Sequence, residues 1–417
     1  MLLDPILSLI LAFTLLGLLF YKRVSVGIIL IIVPSFLALL TLDLRDALSL
    51  LYATINPFSE NGLFAALIIL STFFIAWLSF LYEDSGEIRK LSNSLNSLIK
   101  RPNFLLTVSP AVMSFLPIAG GALLSAPLVS SLIKNSNVSL EKGSYINLWF
   151  RHILVPVYPL GQAVILTSAL TGIPLLTVIL LQVPIITTMI IVGYLFGLRG
   201  NVCMRSAEIE FGCNRNATML FIKSFMPILL AITVAVTLNA LLKGLIYQGV
   251  SLLIASLLGL VTLIVVSPQA LRALRSSLSR YGIYDITLAV YGAFLFQNVM
   301  AKADVPAALK PLTLSDVGVL SLLALIPFIM SFLMGSIMGS VTISISMLTD
   351  VITFTPKVVM LLYTGANLGY LISPVHLCLV FTLRYFNVTI QGVYRYAIPS
   401  TIITYLIALL LFTLLPT

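Results

Sequence analysis

Charge is what this sequence has least of. Only 9% of its 417 residues are Asp, Glu, Lys or Arg, whereas 60% are hydrophobic, and the mean hydropathy is +1.13. A soluble domain carries roughly a quarter of its residues as charges, so a soluble globular chain is excluded. Histidine occurs twice and cysteine three times. Three cysteines (Cys203, Cys213, Cys378) make no disulfide framework. Cys203 and Cys213 share one polar loop, but both histidines lie elsewhere, so free thiols and no metal site are expected. Enzyme signatures are missing too: there is no phosphate-binding loop, no His-Glu-x-x-His, no membrane-embedded Asp pair and no Ser/His arrangement. The expectation is a protein that is not an enzyme, has no cofactor and, with no ATP-binding domain, transports by a secondary or passive route. The net charge of +9 resides in loops. It reads as topology bias and not as a nucleic-acid footprint, because no basic patch lies outside the apolar segments.

What the sequence does contain is apolar runs of membrane-spanning length. They predict an all-α polytopic membrane protein with about ten transmembrane helices plus two re-entrant hairpins, in two inverted-topology repeats. The first repeat, 1–200, has spans at 2–20, 24–42 and 62–82, a hairpin at 104–133, and spans at 146–171 and 174–198. Segment 2–20 lacks a basic start, carries Asp4 and is followed at once by Lys22 and Arg23, so it reads as a mature span and not a signal peptide. A loop with Asp43, Arg45, Asp46 and Pro57 follows the second span. Segment 86–101 places Ile88, Leu91, Leu95 and Leu98 at helical spacing among polar residues, an interfacial amphipathic helix. A polar cytoplasmic linker, 201–217, leads to the second repeat, 218–417. Its spans are 218–242, 247–266 and 285–301, with a basic amphipathic piece at 268–281. A connector at 302–313, a hairpin at 314–348 and spans at 357–383 and 393–415 complete it. Five crossings per half is an odd number, which forces the halves into opposite orientations. Arg45, Lys243, Lys302, Lys310 and Lys357 are the few cations on one face. The remaining loop cations crowd the other, which puts both termini outside.

The hairpins echo one another: Pro110 corresponds to Pro327, and Met113-Ser-Phe-Leu116 recurs as Met330-Ser-Phe-Leu333. Four interruptions are expected at membrane depth. They are the tip at Ala119, Gly120 and Gly121, the tip from Gly335 and Ser336 through Gly339 and Ser340, the break at Pro156, Tyr158 and Pro159, and the break from Gly365 to Pro374. Non-helical backbone there is tolerated only where protein or a water-filled cavity satisfies it. Half-helix N-termini suit an anion, and unwound carbonyls suit a small cation. The candidate binding residues are those just named, apart from Pro374, together with Ser125, Thr342, Ala366, Asn367, Ser373 and His376. The alternative reading is that the small residues only permit tight helix packing. His376 either contacts an anion or carries a proton, or it is a neutral group bracing its break. Arg151 and His152 open the first broken span; snorkelling to headgroups is the expected role of Arg151, and anion attraction the alternative. Asp4, Glu83, Asp84, Asp285, Asp316 and Asp350 all fall at span ends, which counts against a cation/proton antiporter.

Three runs carry a resemblance: Pro117-x-x-Gly120-Gly121-Ala-Leu-x-Ser125-Ala-Pro127, Asn147-Leu-Trp-Phe-Arg-His152, and Gly369-Tyr-Leu-x-Ser-Pro-Val-His376-Leu-Cys. They resemble the ion-transporter superfamily of gluconate, citrate and dicarboxylate carriers and arsenite pumps. Over nearly the whole chain the sequence is most similar to a prokaryotic membrane family known as domain of unknown function 401. That resemblance implies a homodimer in a prokaryotic plasma membrane. A scaffold would hold the interface, while 104–133, 146–198, 314–348 and 357–415 slide as an elevator, with 86–101 and 302–313 as connecting arms. The dicarboxylate branch carries Ser-Asn-Thr at both hairpin tips, and this chain has Ala-Gly-Gly and Gly-Ser-Ile-Met-Gly-Ser instead. The expected function is secondary transport of a small organic anion, a carboxylate by preference, coupled to Na⁺ or H⁺. A cation/proton antiporter and a passive channel or membrane scaffold are the alternatives.

Overall fold

The computed structural model describes residues 4–99, 101–115, 122–134, 136–199, 215–242, 247–305 and 315–415. All regular structure among them is helical. In hydrocarbon each backbone N–H and C=O must find a partner within the protein, and a helix provides one inside its own segment. Nine helices among the described residues are long and apolar enough to cross a membrane. The chain is an all-α polytopic membrane protein.

The first half runs α1 (Pro5–Tyr21), α2 (Val26–Thr41), α3 (Leu44–Ala53), α4 (Glu60–Asp84) and α5 (Glu87–Leu98). The hairpin helices α6 (Pro102–Met113) and α7 (Ala122–Lys134) follow, then a broken span made of α8 (Leu140–Ile153), a 3₁₀ turn (Val155–Val157) and α9 (Gln162–Thr171), then α10 (Leu175–Gly197). The second half runs α11 (Arg215–Leu241), α12 (Gln248–Val266), α13 (Pro268–Leu278) and α14 (Tyr281–Lys302). Its hairpin is α15 (Asp316–Met334) and α16 (Ile337–Leu348), its broken span α17 (Pro356–Ile372) and α18 (Leu377–Phe386), and its last helix α19 (Ile390–Leu414).

Packing partners recur between the halves. Helix α2 packs on α14, and α4 packs on α12; α6 packs on α8, and α15 on α17. Helix α9 packs on α16 just as α18 packs on α7, and α19 on α8 just as α10 on α17. Exchanging the halves converts each contact into its counterpart. Two groups result: a frame of α1, α2, α4, α11, α12 and α14, and a second group of both hairpins, both broken spans, α10 and α19.

Three local expectations need correction. The stretch read as a loop after the second span holds α3, whose ten residues bury little beyond Ala47 and so leave a weak apolar signal. The second hairpin turns at Gly335 and Ser336 alone, because Ser336 caps the Gly339 N–H at 3.2 Å and α16 starts at once. Helix α17 runs unbroken through Gly365, Ala366 and Asn367 to Ile372, and the interruption is confined to 373–376. Pro374 sets that limit, since its ring disfavours helical backbone in the preceding residue.

The amphipathic helix α5 is fastened to the frame through Glu87. That buried carboxylate accepts hydrogen bonds from Lys90 Nζ (2.6 Å), Ser267 Oγ (2.7 Å) and Ser224 Oγ (2.8 Å). Burial alone would push the Glu87 carboxyl up, but the donors Lys90, Ser267 and Ser224 together hold it below its ordinary value.

Candidate functional site: a cavity where the two broken spans meet

The first broken span parts because Pro156 and Pro159 each remove an N–H and restrict the residue before. The second parts at Ser373-Pro374-Val375-His376. Two carbonyls near the second break are caught by side chains: Tyr394 donates to Ile372 O at the end of α17 at 2.6 Å, and Ser373 Oγ to Phe332 O in the last turn of α15 at 2.5 Å. The tip of the second hairpin covers the second break. Gly335 ends α15 with φ +59°, and a Cβ there would lie 2.8 Å from Val375 Cγ2 and 3.3 Å from His376 N. Glycine is required on both counts.

A cavity of about 380 Å³ lies where these pieces converge. On one side it is lined by the frame, through Val26 of α2, Phe80 of α4 and Asp285 of α14. The other side is made by Arg151, His152 and Tyr158 of the first break, Gly335 and Ser336 of the hairpin, and Tyr363, Tyr370 and Cys378 of the second broken span. The first turns of α9 (Gln162, Ala163), α16 (Ile337, Met338) and α18 (Leu377, Cys378) also reach it. Neither α9 nor α18 is capped by its own N-cap side chain. Free N–H groups and positive dipole ends, each equivalent to roughly half a charge, are therefore aimed at one space.

Arg151 is the cation among the lining residues. It is 4% exposed, so it does not snorkel, and the expectation that it reaches headgroups is overturned by its position at the end of α8. Its Nη1 donates to Met113 O at 3.2 Å, the carbonyl at the C-terminal, negative end of α6. No carboxylate pairs with Arg151 among the described residues. Asp285, the one carboxylate among the lining residues, accepts the Gly27 N–H at 3.0 Å in the first turn of α2.

Of the residues singled out from sequence, Tyr158, Gly335 and Ser336 line the cavity, and buried His376 stands directly behind it, its ring 3.8 Å from that of the lining residue Tyr370. Ala119, Gly120 and Gly121 lie outside the described residues. The others serve the walls. Ser125 donates to Asn147 Oδ1 at 2.6 Å, and Asn147 donates to Thr382 Oγ1 at 3.1 Å, which ties α7, α8 and α18 together. Ser340 donates to Pro327 O at 2.6 Å, closing the hairpin on itself, while Thr342 and Asn367 bond carbonyls of their own helices. Gly339 sits inside α16, beside Ser340. Gly365 and Gly369 bring α17 onto α15: a Cβ at Gly369 would lie 2.2 Å from Phe328 O. Ala366 is buried in the core between them. Pro156 and Pro159 are buried and shape the break. Sequence reasoning left Arg151 and His152 out of the site and missed Tyr370 and Cys378. The available signal was that all four fall within the two runs Asn147–His152 and Gly369–Cys378 that carry the resemblance.

No curated protein matches the chain. A family model does, over residues 6–415, and the chain belongs to that family, described as protein of unknown function (DUF401).

Proposed function

We propose that the chain is a secondary transporter of a small organic anion, with a carboxylate as the fitting class, driven by Na⁺ or H⁺. One observation carries this reading: a buried guanidinium with no carboxylate partner among the described residues lines a cavity that three helix N-termini also reach. Removing such an ion from water costs several kcal/mol unless something compensates it. The C-terminal end of α6 supplies part of that, and an anionic ligand in the cavity would supply the rest. A volume of about 380 Å³ suits a small organic anion and lies within the range of ligand sites, roughly 300–1,000 Å³. The one lining carboxylate is engaged by the α2 N-terminus, which weighs against cation/proton antiport.

The cavity also lies on the seam between the frame and the group of hairpins and broken spans. Sliding of that group along the frame would expose the cavity first to one side of the membrane and then to the other, an elevator motion. In this reading the frame carries a homodimer interface, and the protein resides in a prokaryotic plasma membrane with both termini outside. Reconstitution into liposomes tests the proposal. Uptake of a carboxylate should saturate, should accumulate against its gradient when Na⁺ or H⁺ is driven inward, and should be lost in Arg151→Gln. Flux that neither saturates nor accumulates would replace the carrier with a channel.

A further inference from the structure

The two histidines and one cysteine meet beside Arg151. His152 ends α8, His376 sits in the second break and Cys378 lies in the first turn of α18; all three are buried. One ligand atom from each lies within 4.8 Å of the others. His152 Nδ1 is 2.7 Å from Leu148 O, and His376 Nδ1 is 3.5 Å from Leu371 O. A carbonyl can only accept, so each Nδ1 carries the proton and each Nε2 keeps its lone pair. Metal-binding histidines are held this way, with the far nitrogen anchored on a carbonyl. His376 is fully buried, and its Nε2 has no hydrogen-bond partner. The Tyr370 ring, 3.8 Å away between centroids, fixes its plane, and the His152 ring stands edge-on at 4.7 Å.

We propose that His152, His376 and Cys378 form a three-ligand metal site for a borderline-soft cation of the zinc class. Two imidazoles and a thiolate suit Zn²⁺ and exclude the hard cations, which need oxygen. Zn–N and Zn–S bonds near 2.0–2.3 Å separate tetrahedral ligand atoms by about 3.3–3.8 Å, so a contraction of about 1 Å completes the shell. His152 and Cys378 both line the cavity, so a ligand in it would have access to the fourth position. The Arg151 guanidinium opposes the bound cation. The surplus positive charge would be neutralised by an anion at the fourth position, beside the guanidinium. The ligand set stands independently of the transport reading; only the anion at the fourth position rests on it.

The test is Co²⁺ titration of the full-length, chelator-treated protein in detergent. One equivalent per chain should bind, with a thiolate-to-cobalt charge-transfer absorption and the intense visible bands of a four-coordinate ion, and Zn²⁺ should displace it. Cys378→Ser should abolish the charge-transfer band, and His376→Gln should weaken binding at least about tenfold. Zinc-edge X-ray absorption on the unmutated protein requires no variant to fold. It should show one sulfur near 2.3 Å and nitrogen near 2.0–2.1 Å. No binding, binding without the sulfur signature, or an oxygen-only shell overturns the site. Cobalt failure with intact anion uptake removes the metal and leaves the carrier; a full cobalt spectrum without uptake removes the carrier and leaves the metal.

Discussion

The two broken spans occupy corresponding places in the two halves, yet they do different work. Two residues before its end, α8 carries Arg151, and two residues before its end, α17 carries Tyr370. The first break is wide, spread over Leu154 to Gly161, and frees the first turn of α9 toward the cavity. The second is short, lies under Gly335 of the hairpin and contributes a ring, an imidazole and a thiol. The fold thus repeats its backbone and not its chemistry. Of the two broken spans, only the first brings a charged side chain, Arg151, to the cavity, so the pair is electrically lopsided although the framework around it is nearly two-fold.

Three experiments bear on that difference, taken from the largest expected effect downward, and a fourth serves as a reference away from both breaks. Arg151→Gln removes the charge that makes the first break distinct, and anion affinity should fall by at least about 30-fold. That is the roughly 2–5 kcal/mol lost when one partner of a buried charge pair is truncated. Tyr370→Phe, at the corresponding place in the second break, should change affinity far less; equal losses would erase the asymmetry.

Gly369→Ala attacks the packing that carries the second break, since its Cβ would meet the Phe328 carbonyl. It should cost about 2–3 kcal/mol in unfolding free energy, within the range for overpacking. Gly172→Ala, beyond the first break, has open space for its Cβ. It carries only the cost of a positive φ, about 1–2 kcal/mol.

Ser125→Ala leaves Asn147 Oδ1 without its donor and should cost about 1–2 kcal/mol, read by denaturant midpoint in detergent, with anion affinity unchanged because Ser125 does not line the cavity.

The smallest effect concerns α5, away from both breaks. The folded-state value of Glu87 lies below its unfolded value, so its contribution is complete above the unfolded value near 4.5 and is lost as pH falls through the lower folded one. Thermal midpoints should therefore drop on acidification below about pH 4.5. Glu87→Gln should flatten that drop, and an unchanged acid profile would remove the role assigned to Glu87.

Much of the framework was legible in sequence, because apolar run length reports directly on the bilayer. The echo of Met113-Ser-Phe-Leu116 in Met330-Ser-Phe-Leu333 marked the two hairpins. Proline marked both breaks, at Pro156 and Pro159 and at Pro374. The site itself was less legible, and glycine is the reason. In an apolar run Gly365 and Gly369 look like an interruption, yet in α17 they permit a close helix crossing, and only coordinates separate the two uses. The meeting of His152, His376 and Cys378 was hidden more deeply. Nothing local to Arg151-His152 announces a partner in the other half of the chain, and a buried arginine reads in sequence like one that snorkels.

The central claim is that Arg151 receives an anion in this cavity. Thermal unfolding of the purified protein against a panel of small carboxylates and inorganic anions tests it, in the unmutated chain and in Arg151→Gln, each with and without Na⁺. A ligand at a hundred times its dissociation constant stabilises the folded state by about 2.7 kcal/mol. The account predicts that at least one carboxylate raises the midpoint of the unmutated protein and leaves that of Arg151→Gln unmoved. Equal shifts in both proteins, or shifts only from cations, would contradict it.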